Sequence, residues 1–189
     1  MDANNIALAS MNRSHLFMLA QEMDKHNKLR NFYIGYPNLF RKTLFKSKNN
    51  IKVHHIYQSL FKLRKFLFLE DKNNITEIIA WKVAKNFDCW LTKELKKDTV
   101  KILISESTYS NNAGKYMKSN SGKYIVERPC SHVLWQENVL KENADKFGQM
   151  IRLPTKESIE TDLESYHNAD KIIVPSKFVK NTFKDYGIT

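Results

Sequence analysis

The amino-acid sequence predicts an α/β protein of the Rossmann-like, doubly wound kind, with a mostly parallel sheet and helices on both faces. Three observations carry that expectation. Short apolar runs rich in β-branched and aromatic residues alternate along the chain with amphipathic stretches of helical spacing. Polar turns with helix-start residues (Ser14, Asn74, Ser176) separate the two kinds of segment. At 189 residues and 42% hydrophobic, with 11 Phe, 8 Tyr and 3 Trp, the chain has the length and apolar content of a single domain, residues 1–189. Strands that alternate with helices need crossover connections, and these make neighbouring strands parallel.

Ile6-Ala7-Leu8-Ala9 reads as the first buried strand, and Ser14 as the cap of a helix bearing Leu16, Leu19, Ala20 and Met23. Leu29 to Tyr36 reads as a second strand closed by Pro37, and Ile51 to Ile56 as a short third. A helix follows from about Ile75, with Asn74 as cap, Glu77 completing a near capping box, and a core stripe of Ile78, Trp81, Ala84 or Lys85, and Cys89. Val100 to Ser105 is a strand, Ala113 to Lys118 a short helix, Lys123 to Glu127 a strand, and Ser131 to Phe147 a helix ended by Gly148. A helix from Thr155 carries Ile159, Leu163 and Tyr166 on one face. Ile172 to Val174 is the last strand, and Ser176 opens a helix closed by Gly187 and Ile188 in a Schellman-like stop.

The net charge of +11 favours anionic partners: nucleic acid, acidic lipid headgroups or phosphorylated ligands. Much of it lies between Phe40 and Phe68, where Lys62, Arg64 and Lys65 are interleaved with Phe61, Phe66 and Phe68 as candidates for an anionic membrane surface. A solvated basic face is the plainer reading of the same stretch. No nucleic-acid-binding module is recognisable, which makes nucleic acid an unlikely partner. Two cysteines exclude a disulfide scaffold and favour a reducing compartment, while the N-terminus lacks the pattern of a signal peptide and no apolar run spans a bilayer. The expected place is the cytoplasm, with peripheral contact at the inner membrane face. Zinc spacing and a glycine-rich phosphate loop are absent, and the adjacent His54 and His55 point to opposite faces of a strand, so neither metal nor cofactor is expected.

Ligands of open parallel sheets bind outside the carboxyl ends of the strands. That rule selects the loops at 10–15, 36–41, 105–112 and 127–132. Their candidates are Asn12, Arg13 and His15 after the first strand, Glu106 and Ser107 in a polar, aromatic loop, and Glu127, Arg128 and His132 at the exit of Tyr124–Glu127. A helix start beside the last group favours anions. A solvated loop, a strand-end ion pair and a helix-start histidine are the structural alternatives.

The segment Glu127-Arg-Pro-Cys-Ser-His132, followed by Ala169-Asp170, Ile172, Val174-Pro-Ser176, Phe178, Phe183 and Gly187, resembles family 4 glycosyltransferases of the two-domain GT-B type. The resemblance covers almost the whole chain and is strong from Tyr124 onward; Glu160 and Tyr166 are spaced a little differently, and Ser10-Met11-Asn12 stands where relatives have glycines. It implies the N-terminal, acceptor-binding half of a retaining glycosyltransferase, with the nucleotide-sugar donor bound mainly by a C-terminal half beyond Thr189. It further implies that this half alone is inactive, that the acceptor is a glycan or lipid-linked hydroxyl, and that no metal takes part. Glu127 would orient the acceptor, and His132 would donate to a sugar hydroxyl or the leaving phosphate. Arg13 or His15 would make the side-chain contact that glycines make through the backbone elsewhere. Two functions of other classes remain open at this point: a non-catalytic glycan or anionic-lipid binding module, and a nucleic-acid-binding α/β domain.

Overall fold

The computed structural model describes residues 5–37, 50–63, 75–147 and 153–188. Six strands form one sheet: β1 (Ile6–Ser10), β2 (Leu29–Ile34), β3 (Ile51–Val53), β4 (Ile102–Glu106), β5 (Lys123–Glu127) and β6 (Lys171–Ile173). Their spatial order is β3-β2-β1-β4-β5-β6, and every neighbouring pair is parallel. The fold is Rossmann-like, with the strands near residues 6, 102, 125 and 173 side by side as the alternation requires. The helices are α1 (Leu16–Lys25), α2 (Ile56–Leu63), α3 (Ile75–Leu95), α4 (Asn111–Ser119), α5 (Val133–Phe147), α6 (Lys156–Asn168) and α7 (Lys177–Lys184).

Both sheet faces are covered, and each has its own core. Leu8, Phe32 and Ile34 meet Leu16, Phe17 and Ala20 of α1 on one face. On the other, Ala7, Tyr33, Leu103, Tyr124 and Val126 meet α3, α4, α6 and α7. Successive residues of a strand point to opposite faces, and a strand buried on both sides is apolar throughout. That is why Ile6–Ala9 carries no polar residue until Ser10.

Local chemistry fixes several ends. Ser14 Oγ accepts from the backbone N–H of Leu16 at 3.3 Å. The N–H groups opening α6 and α7 are capped by Thr155 and Ser176, whose hydroxyls accept from Ser158 N and Val179 N, each at 3.2 Å. At the far end of α7, Gly187 takes a φ of 79° and Ile188 N donates to Phe183 O at 3.0 Å, a Schellman stop. Gly114 lies where an added Cβ would come within 2.4 Å of the Tyr124 ring, so α4 packs on β5 only because that position has no side chain.

Two expectations need correction. The buried stripe of α3 is Thr76, Val83, Ala84, Phe87, Asp88, Leu91 and Leu95, whereas Ile78 is 45% exposed and Cys89 is exposed. The helix is turned so that Asp88 faces inward, where its carboxylate accepts from Asn112 N at 2.8 Å and Ala113 N at 3.0 Å and so closes the start of α4. The third strand ends at Val53 rather than Ile56: the N–H of His54 still donates to Ile34 O at 2.8 Å, but its ring turns to Asn86 at 2.8 Å and stacks on Trp90, and a helix begins at Ile56. Asn74 lies outside the described residues, as do Arg64, Lys65 and most of the basic stretch; Lys62 is in α2.

Candidate functional site

The order of the strands reverses between β1 and β4: from β1 the chain moves outward to β2 and β3, and from β4 it moves the other way. The loops leaving these two strands part at that point, and a crevice opens between them. The exits of β1, β4 and β5 bring together most of the residues singled out above. Ser10 Oγ donates to Glu106 Oε1 at 3.2 Å and lies 3.0 Å from Ser14 Oγ. Asn12 Nδ2 donates to the Tyr109 hydroxyl at 3.3 Å, tying the first loop to the turn after β4. His15 Nε2 meets Glu127 Oε1 at 2.7 Å, the histidine side chain 55% exposed and the glutamate 8%.

This pairing of an open imidazole with a buried carboxylate is the arrangement that orients a general base. Burial raises the Glu127 carboxyl above its ordinary range, and the opposing charges of His15 and Arg128 pull it back. Burial also pushes Glu106 up to about 6, helped by the like charge of Glu127 and opposed by the hydroxyls of Ser14 and Ser10. Arg13 is exposed on the same loop, its guanidinium 5.7 Å from the centre of the Phe17 ring.

Beside this corner lies a cleft of about 460 Å³ between α3, α5 and α6. Asn12, Thr108, Tyr109 and Arg128 line its sheet end, and Trp81, Gln136 and Ser158 its outer walls. Its floor is a closed ion pair. Arg128 Nη1 donates to Asp162 Oδ2 at 2.8 Å, while Asp162 Oδ1 accepts from Ser107 Oγ at 2.7 Å and Thr108 Oγ1 at 2.8 Å. Ser165 Oγ donates to Ser107 O at 2.6 Å. Arg128 and Ser107, selected from sequence as ligand-binding residues, are therefore held first of all by protein partners. Arg128 keeps an edge on the cleft through Nη2, which donates to Gln136 at 3.3 Å.

His132 is placed differently from the expectation. It is 1% exposed, stacked on Tyr186 at 4.5 Å, with the Phe183 ring at 5.1 Å and the Tyr166 ring at 5.2 Å. Burial, with Arg128 nearby, lowers its pKa to about 4, so the ring is neutral at physiological pH. Its Nδ1 accepts from Leu134 N at 3.4 Å and its own N–H donates to Thr182 at 3.0 Å. Those contacts join α5 to α7. At the exits of β1, β4 and β5 the imidazole open to solvent is His15, 117 positions away by subtraction of the residue numbers.

Sequence reasoning passed over Asp162, Thr108, Tyr109 and Trp81 as site residues. For Asp162 a signal existed: it sits within a helix whose Ile159, Leu163 and Tyr166 face the core, and an acid on such a face requires a buried cation. Nothing local distinguishes Trp81 or Thr108 from ordinary surface.

No protein-family model matches the sequence, and no curated protein does. A solved structure does resemble the fold: a UDP-glucosyltransferase from Polygonum tinctorium capable of glucosylating indoxyl, in complex with 3,4-dichloroaniline, matches with a TM-score of 0.54 and 12% identity. About half of that structure shares the α/β fold of this chain. The match covers 97% of this chain and 49% of the other, so the chain spans about half the length of the structure it resembles. At this identity the likeness shows the fold alone, without distinguishing family 4 from other glycosyltransferase families.

Proposed function

We propose that this chain is the acceptor-binding half of a GT-B glycosyltransferase, moving a sugar from a nucleotide-sugar donor to a hydroxyl of a glycan or lipid-linked acceptor. The single observation that carries the reading is the His15–Glu127 pair, open to solvent at the strand ends and next to a cleft of ligand size. In this reading the acceptor lies in the cleft against Asn12 and Tyr109, its nucleophilic hydroxyl at His15, and the donor is held mainly by a second half. The resemblance to family 4 implies transfer with retention.

The same pair favours a second reading of the stereochemistry, direct displacement with inversion. The acceptor oxygen attacks the anomeric carbon, the bond to the departing diphosphate breaks, and the hydroxyl proton passes to His15 Nδ1 while Glu127 stabilises the imidazolium. Retention without a covalent intermediate needs no such base. The anomeric configuration of the product, read by proton NMR from the chain joined to a donor-binding half, separates the two.

Binding by the 189-residue chain tests the assignment itself. Saturation-transfer NMR with methyl glucoside, methyl galactoside and methyl mannoside is expected to show contact with at least one, lost in His15→Ala. Calorimetry with UDP-, GDP- and ADP-sugars is expected to show no low-micromolar affinity. Tight donor binding or turnover by this chain alone overturns the half-enzyme reading. Glycoside binding without turnover once a donor half is supplied identifies a non-catalytic glycan module instead.

An anionic membrane surface belongs to the same proposal. Ile56, Tyr57 and Leu60 of α2 are exposed, at 61%, 49% and 60%, at the edge of the basic stretch. Among the described residues no helix is long and apolar enough to cross a membrane. Co-sedimentation with anionic but not neutral liposomes, weakened by replacing Lys62, Arg64 and Lys65 with Gln, is the expected result.

A further inference from the structure

Glu106 and Glu127 each have one carboxylate oxygen in use and one without a partner. Glu106 Oε1 accepts from Ser10 and Glu127 Oε1 meets His15, whereas Glu106 Oε2 and Glu127 Oε2 are buried and unpaired. A buried acceptor left unsatisfied is costly, and more so when it is charged. Two such atoms in one corner call for a common explanation.

Their placement supplies it. Glu106 and Glu127 stand opposite each other in the register of β4 and β5. Facing residues of neighbouring parallel strands project to the same side of the sheet, from backbones about 4.8 Å apart. Two ionised carboxylates that close and that buried repel each other, and the repulsion disappears when they hold a single proton between them. We infer that Glu106 and Glu127 share one proton at mildly acidic pH, Glu106 acting as a neutral acid that donates from Oε2 to Glu127 and steadies the carboxylate that orients His15.

The surroundings agree. Ser10, Ser14 and His15 of the first loop, Tyr36 after β2, Tyr109 after β4, and Arg128 and Cys130 after β5 are the polar or titratable groups that act on the two carboxyls. Arg128 is the one permanent cation among those acting on Glu127, and its guanidinium is committed to Asp162. The Tyr36 hydroxyl is itself buried and unpaired, so in this structure it donates to neither glutamate. Burial raises both carboxyls from their ordinary values, and the like charge of Glu127 raises Glu106 further, as a proton held on Glu106 requires. Glu106 is thereby a positioning residue for the His15–Glu127 pair. The inference concerns acid chemistry inside the fold and stands whether or not that pair acts on a sugar.

The test uses the whole chain with glutamate labelled with carbon-13 at the side-chain carboxyl. One glutamate carboxyl is expected to remain protonated well above the others in an NMR pH titration. The infrared spectrum at mildly acidic pH is expected to show a carboxylic-acid C=O band that weakens in Glu106→Gln. The imidazole nitrogen signals of His15 should inflect as that carboxyl titrates. In Glu106→Gln, whose amide can donate as the acid does, they should hold the low-pH position throughout; in Glu106→Leu they should hold neither position. Wild-type protein in which every glutamate titrates in the ordinary range overturns the inference without recourse to any variant. So does a His15 inflection that survives Glu106→Gln.

Discussion

Two polar clusters sit side by side at the carboxyl edge of the sheet, both built from acids, a base and serine hydroxyls, and they end in opposite conditions. Around Arg128 the charges are answered: Asp162 faces the guanidinium, its second oxygen takes two hydroxyl donors, and Gln136 and the Ser131 carbonyl accept further N–H groups, with only the Tyr166 hydroxyl beside them lacking a partner among the described residues. Around His15 two carboxylate oxygens are left over and the imidazole is half open to solvent. A cluster that closes on itself fastens elements together. One that leaves groups unanswered is prepared for something else, a proton or a ligand. The difference makes Arg128 part of the architecture and leaves His15 as the residue on which the proposed function rests, although both read from sequence as ligand contacts.

The largest expected effect falls on the closed cluster. Asp162→Ala leaves the Arg128 charge buried without its partner and should cost about 3–5 kcal/mol in denaturant unfolding; a loss under 1 kcal/mol would mean that the pair is not what joins α6 to the strand ends. His132 comes next. Its folded pKa of about 4 lies below the ordinary 6.5, so unfolded chains take up protons first as pH falls. Stability is full above pH 6.5 and declines by about 3 kcal/mol by pH 4. His132→Phe should flatten that acid limb, and an unchanged limb would show that the ring is not enclosed in solution.

Glu106 slopes the other way. The unfolded side chain ionises near 4.5 and the folded one near 6, so its contribution is full below 4.5 and falls by about 2 kcal/mol as pH rises through 6. Glu106→Gln is expected to recover most of that above neutrality, with no gain at pH 4. Ser176→Ala removes a hydroxyl cap from α7 and should cost about 1 kcal/mol. Smallest of all is His15→Ala: the imidazole is half open, water can replace it at Glu127 Oε1, and the loss should stay below about 1 kcal/mol. If the unfolding curves place His15→Ala beside Asp162→Ala, the contrast between the two clusters is wrong.

Much of the scaffold was legible because it is written locally. Apolar runs such as Leu103-Ile104 and Ile125-Val126 can only be strands buried between layers, and the Ser176 cap and Gly187 stop are short-range chemistry. What failed was written across the chain. His132 lies at a helix start, and the residues that enclose it, Tyr166, Phe183 and Tyr186, arrive from α6 and from α7 with the turn after it. The α3 stripe was misjudged because its inward acid, Asp88, serves a helix whose start is 23 residues further on by subtraction, at Asn111. His15 and Glu127 were each singled out, yet nothing in the sequence says that they touch.

The switch of strand order between β1 and β4 has a consequence for how the molecule comes into being. β1, β2 and β3 follow in chain order outward from the switch, as do β4, β5 and β6, so within each triplet every strand pairs with its predecessor. The seam between them joins Ser10 to Glu106, 96 residues apart, and closing it means ordering the long stretch that separates them. His15 comes from one side of that seam and Glu106 and Glu127 from the other. During synthesis the first triplet emerges with its imidazole in place and no acid to hold it. The contact between His15 and Glu127 can form only once the two triplets meet along β1 and β4.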